Sequence, residues 1–510
     1  IMRRIVAILG FIAIVCMCMS AKTTGNIQEP DFAFPKKVQK QASSDLENAL
    51  SAGDGARVVN ALVRIGLAES AVSADSLPNV IARVEQVKSV EKNPVTRAML
   101  CLLEAQIYAD IYRNDTWAIN QRPEISAQAV TDNYNLWGRS QFLRKVSSLI
   151  DEALVDGDAL RAVPLEEYRN TLTFQRGAVT VYPTLLDFAV YRALAYLEPF
   201  SRGVNRTLTT GLLSDPMDRS LYPTVADSVE RRILELYRML MEGREESAPG
   251  LYARAAAMNY ISDRIFSFER PVFSFDQSQS GPTDLQRVYM DVYDRFRHVP
   301  YAVEILLSMP DIRVQSGAAK EICGMLRQFE RENPQYFNLN GVKAAIEQLT
   351  RKTVTLRVPR EVQRGLSAVV RIDAENVNSL KLSLYKLVPS SVKRGASYYS
   401  GPLGKPVQTV EVSMEGDAPF CAVSKAALSV PDYGQYVVVP QFEGMENARR
   451  DYEIINCSHL ATTVIQDAGD KLKNALVRNV ADGASVEGAS LVFTPWDRRT
   501  GATTLPRKTD

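Results

Sequence analysis

Val354-Thr-Leu-Arg-Val358, Leu380-Lys-Leu-Ser-Leu-Tyr-Lys-Leu387 and Tyr436-Val-Val-Val-Pro-Gln-Phe442 decide the fold, within a stretch running from Val354 to Phe493. The first two alternate apolar and polar residues, and all three are rich in β-branched and aromatic side chains, the pattern of strands in a sheet with a buried face. Turn-forming clusters separate them: Asp373-Ala-Glu-Asn376, Gly401-Pro-Leu-Gly404 and Pro431-Asp-Tyr-Gly434. Short strands at this spacing predict an antiparallel sandwich. Upstream the period is helical, and it changes at Thr350-Arg-Lys352. The fold class expected is therefore multidomain, α then β.

The helical half is read in order. A polar tether, residues 22–36, precedes a helical domain over 37–352. Asp54-Gly55 opens a helix carrying Val58, Leu62 and Ile65 on one face. Helices follow over Ser76–Val90 and Val95–Ile111. The second is almost wholly apolar along Ala98–Leu103 and should be buried on several sides. Residues 112–136 read as a long loop before a helix over Arg139–Leu154.

Tyr182-Pro-Thr-Leu-Leu-Asp187 and Tyr222-Pro-Thr-Val-Ala-Asp227 echo each other, each predicting a Thr N-cap with Asp three residues on. Their forty-residue interval fits a helical-hairpin repeat, and coincidence accounts for it equally well. Helical patterns continue over 251–266, 285–297, 303–309, 318–332 and 341–349. Short connections between them predict antiparallel pairs in a solenoid-like or toroid-like array.

The sandwich is expected over 353–453. A second begins at 454 and reaches Asp510 with three or four of the roughly seven strands such a fold needs. Unpaired edges of that kind are a liability, so the expectation is a truncated second sandwich and an N-terminal part of something longer.

The chain has 510 residues and 46% hydrophobic content, enough for several packed cores. Sixty basic residues against fifty-nine acidic give no electrostatic footprint for nucleic acid or a membrane surface. The two histidines, His298 and His459, are far apart, which argues against a histidine-based triad or a zinc site. Residues 1–21 read as a signal peptide, with Arg3-Arg4 ahead of an apolar Ile5–Val15 that is shorter than the roughly 20 residues of a membrane span. Export follows, to the periplasm, cell envelope or exterior. Cys16 or Cys18 could take a lipid and anchor the protein, although Val15 and Met17 are bulky for the position before a lipidated cysteine.

Four further cysteines, Cys101, Cys323, Cys421 and Cys457, are widely spaced, unlike a disulfide framework. Ser390-Ser-Val-Lys393 matches Ser-x-x-Lys, but it follows a strand and Pro389 and reads as turn composition. Cys457 and His459 would share a strand face, with no orienting carboxylate in view. Asn205-Arg-Thr207 and Asn456-Cys-Ser458 match the glycosylation acceptor, a pattern frequent by chance, and Arg449-Arg450, Lys471 and Lys473 read as solvated faces. No catalytic, cofactor-binding or metal-ligating residue is predicted, and no enzyme activity.

Val477-Arg-Asn-Val-Ala-Asp-Gly-Ala-Ser-Val-Glu-Gly-Ala-Ser-Leu-Val-Phe493 resembles the junction between macroglobulin domains, although Gly483-Ala-Ser485 replaces the usual Gly-x-Pro. Asp482-Gly483 suits a tight hairpin and Gly488 a close approach at a bend. Tyr433-Gly-Gln-Tyr-Val-Val438 resembles the strand that closes the preceding domain, its glycine serving the turn and its tyrosine packing inward. Phe34-Pro-Lys-Lys-Val38, Ala52-Gly-Asp-Gly55 and Tyr182–Arg192 look like the helical leader of long bacterial alpha-2-macroglobulin-like proteins. This resemblance implies seven-stranded macroglobulin domains of about a hundred residues and a non-catalytic endopeptidase inhibitor, or protease trap, in envelope defence.

Its partners would be proteases, met through a bait region beyond residue 510, and other envelope proteins through the helical domain. No cofactor is implied. The family's thioester motif, Cys-x-Glu-Gln, fits none of the four cysteines above. The alternative reading is an exported helical-repeat plus β-sandwich lipoprotein that binds protein or glycan at the envelope.

Overall fold

The computed structural model describes residues 34–73, 76–123, 133–169, 171–172, 178–201, 210–266, 284–309, 317–388, 397–414, 422–445, 452–466, 473–493 and 505–508. The signal peptide, Cys16, Cys18, Asn205–Thr207, Ser390–Lys393, Cys421, Arg449-Arg450 and Lys471 lie outside the described residues. A helical N-terminal region is followed by antiparallel and mixed β-sheets. Backbone contacts divide the chain into two compact units. Of the described residues, the first holds those up to 266, 284–309 and 329–342, and the second is mainly those from 343 on.

Eleven long helices are described: α1 (Pro35–Ala52), α2 (Gly55–Val72), α3 (Leu77–Val90), α4 (Pro94–Asn114), α5 (Arg139–Leu154), α6 (Leu185–Leu197), α7 (Ser228–Met241), α8 (Ala248–Phe266), α9 (Asp284–Phe296), α10 (Gly317–Glu332) and α11 (Leu339–Thr350). α1 starts inside the stretch expected as a tether, because Pro35 takes the first helical position, where its fixed φ and missing N–H cost nothing. It ends at Gly53, whose φ of 65° is the left-handed conformation that closes a helix. Asp54 then accepts from Arg57 N to cap α2. Ala52–Gly55 is thus the turn between two packed helices.

Chain neighbours pack on one another, α1 on α2, α2 on α3, α3 on α4, α4 on α5, α6 on α7 and α7 on α8. α4 also meets α2 and α6, and from Ala98 to Tyr112 it is buried around most of its girth, which its continuous apolar run requires. Residues 112–136 are not wholly loop. α4 continues to Asn114 and a short helix, Thr116–Asn120, follows it and buries Ile119.

The echoed hexapeptides differ in structure. Thr184 forms the expected box, its Oγ1 accepting from Asp187 N while Asp187 Oδ2 accepts from Thr184 N at 3.0 Å. Tyr222-Pro-Thr224 instead belongs to a 3-10 turn, and Asp227 itself caps α7, accepting from Val229 N and Glu230 N. With Asp227 in the N-cap position, Thr224 is left three residues before the cap.

In the second unit β1 (Thr353–Arg357), β3 (Ser367–Glu375) and β7 (Ala422–Ser429) form an antiparallel sheet in the order β1-β3-β7. The facing sheet runs β2 (Glu361–Val362), β9 (Tyr452–Cys457), β8 (Gly434–Gln441), β4 (Ser379–Lys386), β6 (Gln408–Ser413), and β5 (Tyr398–Tyr399) pairs with β9. Among the described strands, β2 alone is parallel to its neighbour. Alternation puts Ala368, Val370 and Ile372 of β3 against Leu380, Leu382 and Leu384 of β4 in one core.

β8 is buried on both faces. Val437 and Val439 sit under Tyr399 and Leu387 in a second small cluster on the outer side. That double burial explains a run of three valines where one buried face needs only alternation. β9 pairs with β8 from Gly434↔Cys457 to Val437↔Ile454. Residues 454–457, expected to open a second sandwich, therefore complete this one. Beyond them β10 (Leu460–Gln466) pairs with β11 (Lys473–Asn479), and β12 (Ser490–Phe493) with β13 (Leu505–Lys508).

One cap was not expected from sequence. Asn376, with φ 55°, donates its Nδ2 hydrogens to the carbonyls of Leu349 (2.8 Å) and Arg351 (3.0 Å). The turn after β3 thus closes the end of α11. Asp373 and Glu375, expected as turn residues, lie inside β3.

Candidate functional site

The strand that carries the macroglobulin-like pattern starts at a compact polar corner. Gly434 has φ 144°, and a Cβ there would come 3.2 Å from Lys386 Cε, so glycine is needed. Two residues on, Tyr436 is 0% exposed, and its hydroxyl donates to the Asp432 carbonyl at 2.9 Å. A buried tyrosine tied back to the backbone upstream is the tyrosine corner of sandwich folds. Lys386 Nζ lies 3.4 Å from Asp432 Oδ2, and the Arg364 guanidinium lies 5.3 Å from the centre of the Tyr433 ring. His459 packs edge-on against the other part of this corner, 5.3 Å from the Tyr433 ring.

This arrangement separates the residues that invited a cysteine–histidine reading. β9 ends at Cys457, so the strand rule that puts i and i+2 on one face does not reach His459. Cys457 is buried in the inter-sheet core. Burial raises its thiol pKa, and nearby Arg364 and Lys386 only partly offset that. His459 is exposed.

The other described thiols are no more reactive. Burial pushes Cys101 up to about 12, and it raises Cys323 against the pull of Arg327. A thiol held in that direction is a poor nucleophile at neutral pH. Among the described residues no group of three or more His, Cys, Asp and Glu side chains could hold a metal ion.

The hairpin after β11 follows the sequence reading in outline. Gly483 N donates to the Asn479 carbonyl (2.8 Å), Val486 N to the Val477 carbonyl (3.0 Å), and Gly483 has φ 71°. Gly488 has φ 69°, but no heavy atom lies within 4 Å of a Cβ placed there. Its glycine answers a backbone conformation, not the close approach expected.

The helical unit holds a charge cluster that sequence reasoning missed. Glu104, in the middle of α4, is 0% exposed, with Lys88 Nζ 2.6 Å from Oε2 and Lys145 Nζ 2.7 Å from Oε1. Burial pulls the Lys145 ammonium down, but the hydrogen bond and charge of Glu104 outweigh it and hold the group above its ordinary value. Asp187, also 0% exposed, pairs with Arg244 at 2.7 Å. A charge in the centre of an apolar run was the available signal, but its partners lie on α3 and α5.

At the first three helices an open groove of about 790 Å³ has exposed Leu50, Val72 and Val90 among its lining, with Glu69 in its wall. Gln39 Nε2 donates to Glu69 Oε1 at 2.9 Å, and Arg83 pairs with the same oxygen. No helix among the described residues is long and apolar enough to cross a membrane.

Compared with solved structures, the chain has a weak likeness to a crystal structure of native alpha-2-macroglobulin from Escherichia coli spanning domains MG0-NIE-MG1. The TM-score is 0.24 and the identity 12%, covering 31% of this chain and 58% of that one. No family model matches the sequence, and no curated protein matches it.

Proposed function

We propose that this chain belongs to an exported alpha-2-macroglobulin-like protein, a non-catalytic endopeptidase inhibitor of the cell envelope. What supports the reading is the sandwich itself. Among the described residues, seven strands of five or more residues, β1, β3 and β7 facing β4, β6, β8 and β9, enclose a tyrosine corner built on Gly434 and Tyr436. That is the strand number and the closing-strand pattern the resemblance calls for. Under this reading the helical domain reaches residue 352, the first macroglobulin-type domain starts at 353, and a second follows the strand ending at Cys457. Proteases are the partners, and a lipid on Cys16 or Cys18 is the one route to a membrane.

The test is to incubate the full-length exported protein with an endopeptidase and follow two substrates. A trap suppresses hydrolysis of a large protein substrate and spares a small peptide substrate. Unchanged hydrolysis of both overturns the reading. The 510-residue chain alone should be cut without forming an adduct that survives boiling in denaturant.

The groove over α1–α3 favours a second reading, an exported helical-repeat envelope protein that binds protein or glycan. Its exposed Leu50, Val72 and Val90 offer an apolar contact surface. Retained binding of an envelope extract component after removal of residues 353–510 would favour it over the trap.

A further inference from the structure

We propose that the cavity between α6, α7 and α8 is a binding site for an alkylammonium group. It has a volume of about 290 Å³, close to the lower limit of about 300 Å³ for small-molecule sites. Tyr191, Tyr237 and Tyr260 supply aromatic wall, and Leu194 and Ile233 supply aliphatic wall. Glu198 and Asp263 add two carboxylates.

The spacing explains why these groups meet. Leu194 of α6 and Glu198, which caps its C-terminal end, are four residues apart, as are Ile233 and Tyr237 on α7, and Asn259 and Asp263 on α8. Each helix therefore turns one face to the same space.

Three features select a cation with an alkyl body. The described lining contains no lysine or arginine, and among the described residues neither Glu198 nor Asp263 forms an ion pair. Tyrosine faces attract ammonium groups through the ring quadrupole, and the Tyr237 and Tyr260 ring centres are 6.0 Å apart. The Tyr191 hydroxyl is buried with no hydrogen-bond partner among the described residues, which leaves an oxygen able to accept from an N–H donor. Burial keeps that hydroxyl neutral. A carboxylate-bearing or neutral solute would forfeit the first two features. The site does not depend on the family reading above.

The ammonium could come from a free amine or from a lysine side chain, and two probes separate them. Cadaverine and N-acetyl-lysine methylamide should each be titrated into the whole chain by calorimetry, with 1-pentanol as the uncharged control. Binding of cadaverine alone assigns the site to free amines. Binding of the lysine derivative as tightly or more tightly assigns it to lysyl side chains.

Glu198 and Asp263 are both exposed, so the double variant Glu198→Gln/Asp263→Asn should fold normally, checked by an unchanged thermal transition. It should bind the amine about tenfold or more weakly, a loss that unpaired carboxylates near aromatic faces account for. Failure of both amines to bind the wild-type chain overturns the proposal. So does equal binding by 1-pentanol, or full affinity in the double variant.

Discussion

The helical unit and the sandwich bury different things. Glu69, Glu104, Asp110, Asp187, Glu230, Arg254 and Glu304 are all buried in the helical unit, while among the described residues of the sandwich the buried polar side chain is Ser383. Ser383 is met by Thr409 across the β4–β6 pair at 2.9 Å. A sheet satisfies its backbone in the ladder and asks its inward side chains only to be apolar. A helix array places long charged side chains from several helices around a common centre and must pair what it buries. The sandwich core should thus respond to volume, and the helical core to charge.

The largest effect expected is from Glu104→Gln. It leaves the Lys88 and Lys145 ammoniums facing a neutral group in a buried setting, and breaking a buried pair costs about 3 kcal/mol or more. Both lysines keep some contact with water, which places the loss at the low end of that range. Denaturant unfolding followed by helical circular dichroism should show it, while the strand signal keeps its midpoint. Equal shifts in both signals would break the contrast between the units.

Leu384→Ala tests the other side. Leu384 is 0% exposed between the two sheets, and truncation should cost about 3 kcal/mol through lost burial and a residual cavity. The loss should be independent of pH and ionic strength. A salt-dependent loss would show that charge supports this core after all.

How much of this was legible follows from the reach of each interaction. Periodicity exposed β1 and β4, because a strand's faces are written two residues apart, and β-branched and aromatic content exposed β8. The Thr184–Asp187 box joins residues three apart and was read correctly. The matching hexapeptide at Tyr222 was not, because Asp227 competes for the cap and only packing decides which residue wins. The Glu104 cluster, the Asn376 cap on α11 and the pairing of β9 with β8 join residues far apart in sequence. No local pattern writes them. At the polar corner, the glycine and the inward tyrosine were legible, but the separation of Cys457 from His459 depended on where β9 stops.

The two hexapeptides give a smaller and sharper test. Thr184→Ala removes the hydroxyl that accepts from Asp187 N and should cost about 1 kcal/mol. Thr224→Ala should cost much less in helix stability, since among the described residues Thr224 Oγ1 donates to the Leu221 carbonyl, in the turn before α7. Comparable losses in urea unfolding would restore Thr224 as a cap and the forty-residue repeat with it.

The finest distinction is a slope with pH. Glu304 is buried in the helical unit, and burial raises its carboxyl above the ordinary value, although Tyr336 (3.0 Å) and Asn338 (2.9 Å) both donate to Oε1 and pull the other way. A raised folded-state value means the native state holds this proton after the unfolded chain has released it. The contribution to stability is therefore complete below the unfolded-state pKa and is lost as pH rises through the folded one. Asp110 is raised in the same direction by burial, against the pull of Arg113 and Arg192. In Glu304→Gln the amide oxygen can still accept from Tyr336 and Asn338, and no proton is left to lose. Thermal unfolding across the mildly acidic range should then show a shallower fall in stability with rising pH than in the wild-type chain. A slope that is unchanged would assign the titration to Asp110, whose replacement by Asn should flatten it instead. The Leu384→Ala chain should keep the wild-type slope, because the residue it alters carries no proton.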